Sequence, residues 1–233
     1  MIDLYYAPTP NGWKISIMLE ECDLDYKVVP VNLGKGDQFK PDFLKISPNN
    51  RMPVIVDHTN IKEGEPLSIF ESGAILIYLA EKFQSFIPTD LSSRAECLSW
   101  LMWQMGSAPY LGGGFGHFYA YAPKKWQYPI DRYAMEVKRQ LDVLDKNLSE
   151  RSYLCGDEYN IADIASYAWY GALVLHNIYE ASEFLEVSSY KNVVRWAREI
   201  EQRPAVMRGR RVNKTWGPKE LRLKERHSAG DFD

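Results

Sequence analysis

The sequence predicts a small α/β domain followed by an all-helical domain. Strand and helix signals alternate over residues 1–86, and after the stretch "IPTDLSS" the strand signals stop and long helical patterns take over. The chain has 233 residues, of which 45% are hydrophobic and 25% charged, enough for two domains that each have a core. We therefore expect domains at residues 1–86 and 92–233.

The first domain is predicted from strand and helix patterns in the order β-α-β, a variable connection, then β-β-α. "IDLYY" is typical of a strand, and Lys14 to Cys22 has apolar residues at helical spacing. "YKVVPV" is a second strand, which Pro30 places towards a sheet edge. "MPVIVD" and "PLSIF" predict an antiparallel hairpin around the polar "DHTNIKEGE", and "ESGAILIYLAEKF" returns to a helix.

The second domain is predicted from four helical patterns. Ser93 and Glu96 have the spacing of a capping box at the start of an aromatic-rich helix. A helix after Pro129 and another opened by Asn160, with Asp163 in its first turn, follow. "SYKNVVRWAREIEQRP" is the last pattern. The helix after Pro129 carries an apolar stripe, which consists of Tyr133, Val137, Leu141, Leu144 and Leu148.

Composition excludes several classes of partner. The net charge of −3 gives no electrostatic reason to expect nucleic acid or an anionic membrane. The apolar runs are far shorter than the roughly 20 residues of a membrane span, and "MIDLYYAP" has no signal-peptide pattern. The cysteines (Cys22, Cys97 and Cys155) are odd in number and far apart in sequence, which argues against a disulfide framework or a zinc site. We expect a cytoplasmic protein without a metal, in which each cysteine is a small buried side chain.

The stretch "YYAPTPNGWKI" predicts a strand, a loop and the start of a helix. In thiol-redox folds such a loop carries a reactive cysteine at the helix N-terminus. Here the loop offers Thr9, Pro10 and Asn11 instead. Either the redox chemistry is lost, or another molecule supplies the thiol.

Two further motifs could bind a peptide-like ligand. Pro53, in "NNRMPVIVD", is either an ordinary edge residue or a cis-proline that lets the Met52 backbone pair with a bound peptide. In "IFESGAI" a strand runs directly into a helix at Glu71 and Ser72. Such a helix start can hold a carboxylate, with Glu71 beside it for an ammonium group; the alternative is plain helix capping by Ser72.

Two other motifs predict no chemistry. "LGGGFG" is glycine-rich, but it lacks the spacing of a phosphate-binding loop, so we expect a flexible, close-packed turn. His117, which follows it, could act as a base, although a lone histidine is more often a packed or hydrogen-bonded residue.

These residues carry a resemblance to the glutathione S-transferase family. The β-α-β–β-β-α order, "MPVIVD" and "FESGAILIYLAEKF" resemble the family's glutathione-binding half, which has a thioredoxin-like fold, and "CGDEYNIADIA" resembles its second-domain capping box. More narrowly, "APTPNGWKI", "GKGDQFKPDFLKISPNN" and "IDRYAMEVKRQLDVLDK" resemble the Nu class, which is related to Ure2. "GGGFGHFYAYAP" and the C-terminal "WAREIEQRPAVMRGRRVN…ERHSAGDF" resemble its YghU-type subgroup.

The resemblance implies roles for residues of the first domain at the sulfur, the cysteinyl backbone and the glycyl end of the tripeptide. Thr9 and Asn11 match positions that face the glutathione sulfur in place of the Tyr, Ser or Cys of other classes. Gln38 matches a position at the glycyl end of the tripeptide. Met52, before Pro53, matches the residue that pairs with the cysteinyl backbone.

The resemblance also implies binding residues at the other end of the ligand and in the helical domain. Glu71 and Ser72 match the residues that hold the γ-glutamyl group. Arg132 matches an arginine that reaches a second glutathione or the other half of glutathione disulfide. Its place in the first turn of a helix opposes the macrodipole, which favours an anionic partner: Asp131, Glu136 or a ligand carboxylate. The alternative is a solvated arginine.

The implied function is glutathione-dependent disulfide-bond reduction by bound glutathione thiols rather than protein cysteines, with possible glutathione peroxidase activity. The implied partners are glutathione, as reduced cosubstrate or disulfide, and a small-molecule disulfide, peroxide or electrophile. The family implies a homodimer. Two alternatives remain: conjugation of glutathione to electrophiles, and a glutathione-binding regulatory or interaction protein.

Overall fold

The computed structural model describes residues 1–213, which form two compact units. One contains Met1–Ser85 and the described residues from Arg203 onward; the other is Phe86–Gln202. The chain thus leaves the first unit close to the expected boundary and returns to it at Arg203, which the sequence does not predict. The expected domain ranges of 1–86 and 92–233 remain a prediction, and the "ERHSAGDF" stretch lies outside the described residues.

The first unit contains a four-stranded mixed sheet in the order β2-β1-β3-β4. Its strands are β1 (Ile2–Tyr6), β2 (Tyr26–Pro30), β3 (Val54–Lys62) and β4 (Glu65–Phe70). β1 pairs parallel to β2 and antiparallel to β3, which pairs antiparallel to β4. The edge position of the strand that contains Pro30 and the predicted hairpin are both confirmed. The hairpin strands extend into the stretch expected to be a loop, because the turn is confined to Glu63 and Gly64, both at positive φ.

Within Met1–Ser85, three α-helices alternate with these strands: α1 (Pro10–Glu21) after β1, α2 (Pro41–Ile46) before β3, and α3 (Ser72–Phe83) after β4. The apolar positions at helical spacing are fully buried in both long helices: Ile15, Met18 and Leu19 of α1 and Ile75, Leu76 and Leu79 of α3. Each such side chain contributes about 1.5–3 kcal/mol on leaving water, so these contacts hold α1 and α3 together.

The second unit is helical throughout its regular structure. It contains α4 (Leu91–Pro109), α5 (Gln127–Asn147), α6 (Ile161–Ser166), α7 (Ala172–His176) and α8 (Lys191–Glu201), with π-helical segments at Tyr110–Tyr121 and Tyr167–Gly171. The predicted stripe of α5 is buried from Val137 to Leu148, while Tyr133 is half-buried. No helix within residues 1–213 is long and apolar enough to cross a membrane.

Two predictions for the second unit are wrong. α4 begins at Leu91, and the Asp90 carboxylate caps it by accepting from the Ser93 N–H at 2.9 Å, so Ser93 lies inside the helix. The glycine-rich stretch is π-helical rather than a turn. Its close packing is confirmed, since a Cβ on Gly114 would lie 2.4 Å from the Tyr133 ring.

The predicted cap at the start of α6 is confirmed as a complete capping box. The Asn160 side chain accepts from the Ala162 N–H at 2.9 Å, and the Asp163 carboxylate accepts from the Asn160 N–H at 3.2 Å. The thiols of Cys97 and Cys155 also reach the Asn160 side-chain oxygen, at 3.4 and 4.0 Å. Two cysteines that are distant in sequence are therefore neighbours in the fold, although both are free thiols.

The last described helix, α9 (Pro204–Gly209), packs against α1 of the first unit. Ser16 Oγ donates to the Gly209 carbonyl at 2.7 Å, and the Arg208 Nε donates to the nearly buried Glu20 carboxylate at 2.8 Å. A Cβ on Gly209 would lie 2.6 Å from the Ile17 Cα, so the helices touch backbone to backbone. α9 thereby fixes the outer face of the helix that carries Thr9 and Asn11 at its start.

Candidate functional site

Sheet register brings most of the predicted site residues to one end of the first unit. Tyr5 pairs with Val54, and Val54 pairs with Phe70. The end of β1, the start of β3 and the end of β4 are therefore side by side. Because a chain segment leaves or enters at each of these points, the loop before α1, the residues before β3 and the start of α3 converge.

The loop before α1 places a hydroxyl against the segment that enters β3. Thr9 occupies the N-cap position of α1, but its side chain does not cap the helix. Instead its hydroxyl points to the Met52 sulfur at 3.9 Å. The Met52–Pro53 peptide bond is cis, as one of the two interpretations of that motif expects. With Pro10 at the first helical position and no acidic residue in the first turn, the positive end of α1 is left without an anionic group of its own.

A cavity of about 250 Å³ lies next to this loop. It is lined by three of the predicted residues and four that were not predicted: Asn11, Gln38 and Met52, with Leu33, Phe39, Asn50 and Arg51. The Gln38 side-chain oxygen is buried and has no hydrogen-bond partner among residues 1–213. An orphaned acceptor costs about 1–3 kcal/mol, which a ligand donor would recover.

The start of α3 is similarly open. Glu71 takes the N-cap position with φ 71° and ψ 117°, and no side chain caps the helix. Ser72 is the first helical residue, so the alternative of plain capping by Ser72 is not what the structure contains. Glu71 is exposed while Ser72 is buried, which puts a carboxylate at the surface and a hydroxyl beneath it.

Lys14 is a site residue that the sequence reasoning missed. It is 1% exposed, and its Nζ lies 3.3 Å from the Ser72 Oγ. Burial lowers the pKa of Lys14 to about 7, while the Glu71 carboxylate acts in the opposite direction. The signal was present in the sequence: Lys14 interrupts the apolar run "GWKISIML", and it follows Asn11 by three residues, on the same helix face.

Arg132 belongs to the other unit and is exposed on α5. Because α5 begins at Gln127, Arg132 lies in the second turn and not in the predicted first turn, so its interaction with the macrodipole is weaker than expected. Of its two suggested protein partners, Asp131 accepts from Gln127 at 2.7 Å, and Glu136 pairs with Arg139 at 2.6 Å. The hydrogen bond from Arg139 lowers the pKa of Glu136, and the charge of Arg132 adds a smaller effect in the same direction.

Within the described part of the first unit, no cysteine lies where the three segments converge. Cys22 follows the last residue of α1, which is about 16 Å along the helix from Asn11. Burial, with Glu21 adding to it, raises the pKa of its thiol to about 11, so it is a poor nucleophile at neutral pH. Cys97 and Cys155 belong to the helical unit. His117 also belongs to that unit, where it is exposed and packs edge to face on Phe118.

The arrangement can bind an anionic, peptide-like ligand. It combines two helix starts without side-chain caps, an orphaned acceptor, a cavity with Arg51 in its wall and a carboxylate placed to meet an ammonium group. Thr9 and Asn11 offer polar groups where a sulfur could be held.

Comparison with known proteins shows which family the two parts of the chain match. The family model for the glutathione S-transferase N-terminal domain matches residues 2–81, and that for the C-terminal domain matches residues 116–204. The disulfide-bond oxidoreductase YghU of Escherichia coli is 51% identical over 238 residues, an alignment that covers 100% of this chain and 82% of YghU.

Two crystal structures are also similar. Glutathione transferase YghU from Streptococcus pneumoniae, complexed with glutathione, has a TM-score of 0.88 at 49% identity, with 92% of this chain and 84% of that one covered. A glutathione transferase from Pseudomonas putida, with one glutathione disulfide bound per subunit, has a TM-score of 0.85 at 42% identity, with 91% and 92% covered.

Proposed function

Because the chain belongs to the glutathione S-transferase family, we propose that it is a glutathione-dependent disulfide-bond oxidoreductase whose reacting thiols come from bound glutathione. The E. coli relative is named for this activity, and the P. putida structure holds the oxidised product of such a reaction. We also propose that small disulfides and hydroperoxides are the substrates.

One observation carries this proposal: Asn11, Gln38 and Met52 line one cavity, the Thr9 hydroxyl reaches the Met52 sulfur, and the cysteine of the same unit lies at the far end of α1. A cavity of about 250 Å³ is close to the lower size of small-molecule sites. A redox site with no protein thiol requires a ligand that brings one.

We assign tasks to four residues in and beside this cavity. Thr9 and Asn11 donate to the glutathione sulfur and stabilise its thiolate, which is the reactive form. The positive end of α1, with no carboxylate in its first turn, favours the same charge. Met52 pairs with the cysteinyl backbone next to Pro53, and Gln38 binds the glycyl end.

The start of α3 takes the opposite end of the ligand. The Glu71 carboxylate holds the γ-glutamyl ammonium group, while Ser72 and the N–H groups of the first turn bind the carboxylate beside it. Arg132, for which the family resemblance is the support, binds a carboxylate of the second glutathione.

The reaction is two successive thiol–disulfide exchanges. The thiolate of one glutathione attacks a sulfur of the substrate disulfide, which forms a mixed disulfide and releases one substrate thiol after protonation. The second glutathione then attacks the glutathione sulfur of the mixed disulfide and releases the other thiol. Two glutathiones are oxidised to one glutathione disulfide, and one substrate disulfide is reduced to two thiols.

The test compares two reactions catalysed by the same purified protein. Hydroxyethyl disulfide reduction is followed through glutathione reductase and NADPH, and conjugation of 1-chloro-2,4-dinitrobenzene is followed by absorbance. We expect disulfide reduction to dominate. Asn11→Ala should lower its rate by about 10- to 100-fold, because it removes a donor to a developing negative charge. Asn192→Ala, on the helical unit, is the matched control.

Each alternative has its own result. Steady conjugation with hydroxyethyl disulfide left unreduced would replace the proposal with that of a conjugating transferase. Glutathione binding without turnover of disulfides, peroxides or electrophiles would indicate a regulatory or interaction protein. If the protein did not bind glutathione at all, all three candidate functions would be rejected.

We further propose that the protein is a Nu-class member, a homodimer and cytoplasmic. The motif matches at Thr9, Asn11 and Arg132 support the class. Exposed Leu91 and Met102 on the aromatic-rich α4 support a contact between subunits. Light scattering of the purified protein measures the oligomeric state, and cell fractionation measures the location.

A further inference from the structure

The first unit contains a buried lysine, Lys14, to which the proposed reaction assigns no role. Lys14 is 1% exposed, and its amine lies 3.3 Å from the hydroxyl of Ser72, itself 7% exposed. A buried ammonium is costly unless a partner compensates it. Burial accordingly lowers the pKa of Lys14 to about 7, so that both the charged and the neutral forms are present near neutral pH.

The position of this amine relative to α3 makes the cost dependent on a ligand. Lys14 contacts Ser72, the first residue of α3. The backbone N–H groups in the first turn of this helix carry partial positive charge. A cation is disfavoured at that end of a helix, and the first turn of α3 contains no acidic residue. An anion bound at Ser72 would therefore stabilise the helix start and the ammonium together.

Hydrogen-bond direction links the two groups more specifically. A lysine ammonium has donors only, so the oxygen of Ser72 must accept from it. The Ser72 O–H is then directed to a different acceptor. A neutral amine has a lone pair, which can accept the Ser72 O–H and turn it away from a ligand.

We propose that Lys14 is a positioning residue that directs the Ser72 hydroxyl towards a ligand carboxylate and takes up a proton when that carboxylate binds. This inference rests on the proposed function, since it assigns Ser72 to the carboxylate of the γ-glutamyl end.

Several charged and titratable groups lie on the described elements that pack against α1. Glu71, at the start of α3, acts on Lys14 directly. On α9 and the residue after it, the Arg208 guanidinium pairs with Glu20, and the Arg210 guanidinium lies 5.1 Å from the centre of the Trp13 ring. On β1, burial raises the pKa of Tyr6 far above neutrality, so its phenol stays protonated.

The expected signature is proton uptake on binding. If the free amine is half protonated at pH 7 and the complex fully protonated, each binding event takes up about half a proton at that pH. The affinity for the carboxylate ligand should then fall by about tenfold between pH 6 and pH 8.

The experiment is calorimetric titration with S-methylglutathione, which has the tripeptide carboxylates but no thiol to ionise. Titrations at pH 6, 7 and 8, each in two buffers of different ionisation heat, give the affinity and the number of protons taken up. Lys14→Met should abolish the uptake and the pH dependence. Lys27→Met, at an exposed lysine of β2, should keep both.

A mutant cycle tests the contact with Ser72. Ser72→Ala should weaken binding by about tenfold at pH 6, and adding Lys14→Met should weaken it by less than the two single effects combined. Fully additive effects would show that the two residues act independently and would overturn the positioning role.

If Lys14→Met does not fold, the titrations of the wild-type protein still test the inference. Binding of S-methylglutathione with no proton uptake and constant affinity from pH 6 to pH 8 would overturn the inference and leave the proposed function intact. Uptake that persists unchanged in a folded Lys14→Met variant would also overturn it. Absence of any binding by wild type would instead reject the proposed function.

Discussion

Two helix starts in this protein are built in opposite ways. At α6, Asn160 and Asp163 form a complete capping box, and the Asp163 carboxylate also accepts from the Leu154 N–H and the Trp196 indole at 3.0 and 2.8 Å. At α3 no side chain caps the helix, and the cap position has the unusual φ of 71° at Glu71. One start is closed by its own side chains, and the other is left open.

The difference separates stability from binding. A missing N-cap costs a helix about 1 kcal/mol, and positive φ at a non-glycine residue adds to that cost. The helical unit avoids these costs at α6. The α/β unit accepts the missing cap at α1 and both costs at α3, where its predicted ligand residues lie, because a start already satisfied by a side chain cannot bind a ligand. The closed start of α6 is thus expected to hold the fold, and the open starts of α1 and α3 to hold glutathione.

The largest expected effect is at the closed start. Asp163→Ala should lower the free energy of unfolding by roughly 3 to 5 kcal/mol, because it leaves three buried donors without an acceptor at about 1 to 3 kcal/mol each. Urea unfolding at pH 8 measures the loss. Ser149→Ala, at an exposed residue, is the control. If Asp163→Ala lowered the free energy of unfolding by less than Ser149→Ala does, the stabilising role of the capping box would be contradicted.

The open start of α3 predicts an unusual pH dependence of stability. The folded pKa of Lys14, about 7, lies below its unfolded value, so the unfolded chain holds more protons between these values and stability rises with pH there. Between pH 6 and pH 9, wild type should gain about 2 to 3 kcal/mol relative to Lys14→Met. Urea unfolding of both at these pH values tests it. A constant difference would contradict the buried charge.

Arg132 extends the comparison to α5, whose start also has no side-chain cap. Arg132→Ala should weaken glutathione disulfide binding by about 1 to 3 kcal/mol, the range for a charged hydrogen bond. Arg139→Ala, on the same helix but paired with Glu136, is the control. Unchanged disulfide affinity and reductase rate would reject Arg132 as a ligand residue.

A smaller effect is expected at the open start of α1. Thr9→Val keeps the volume of the side chain and removes its hydroxyl donor. The thiol pKa of bound glutathione should therefore rise by about one unit, measured from thiolate absorbance against pH. A pKa equal to that of wild type would assign thiolate stabilisation to Asn11 and the helix start alone.

The smallest effect on activity is expected near the closed start, although two thiols lie there. Replacing Cys22, Cys97 and Cys155 together by Ser, Ala and Ser should change the reductase rate by less than about threefold, because the mechanism uses no protein thiol. The rate per folded molecule is the relevant measure, since Cys97 is buried and its loss costs stability. Loss of activity in the folded variant would overturn the cysteine-free mechanism.

The sequence alone determined the strand and helix order of the first unit, the apolar faces of its helices and the box at Asn160 and Asp163. These features depend on local patterns, because burial periodicity and capping act within a few residues of each other. The start of α4 was misjudged at Ser93, since Asp90 offered a better cap just upstream. The π-helical stretch at Tyr110–Tyr121 was missed because its glycines are set by side chains from distant elements, such as Tyr133.

Tertiary structure decided what the residues can do together. The motif around Thr9 and Asn11 stands out in the sequence, but only the sheet register brings it beside Met52 and Glu71. The orphaned oxygen of Gln38 and the contact between Lys14 and Ser72 depend on burial by elements that are far apart in the chain. The pKa of a buried group and the free-energy cost of an unpaired polar atom depend on the neighbouring residues. Those neighbours come from distant parts of the chain, so only the folded structure specifies them.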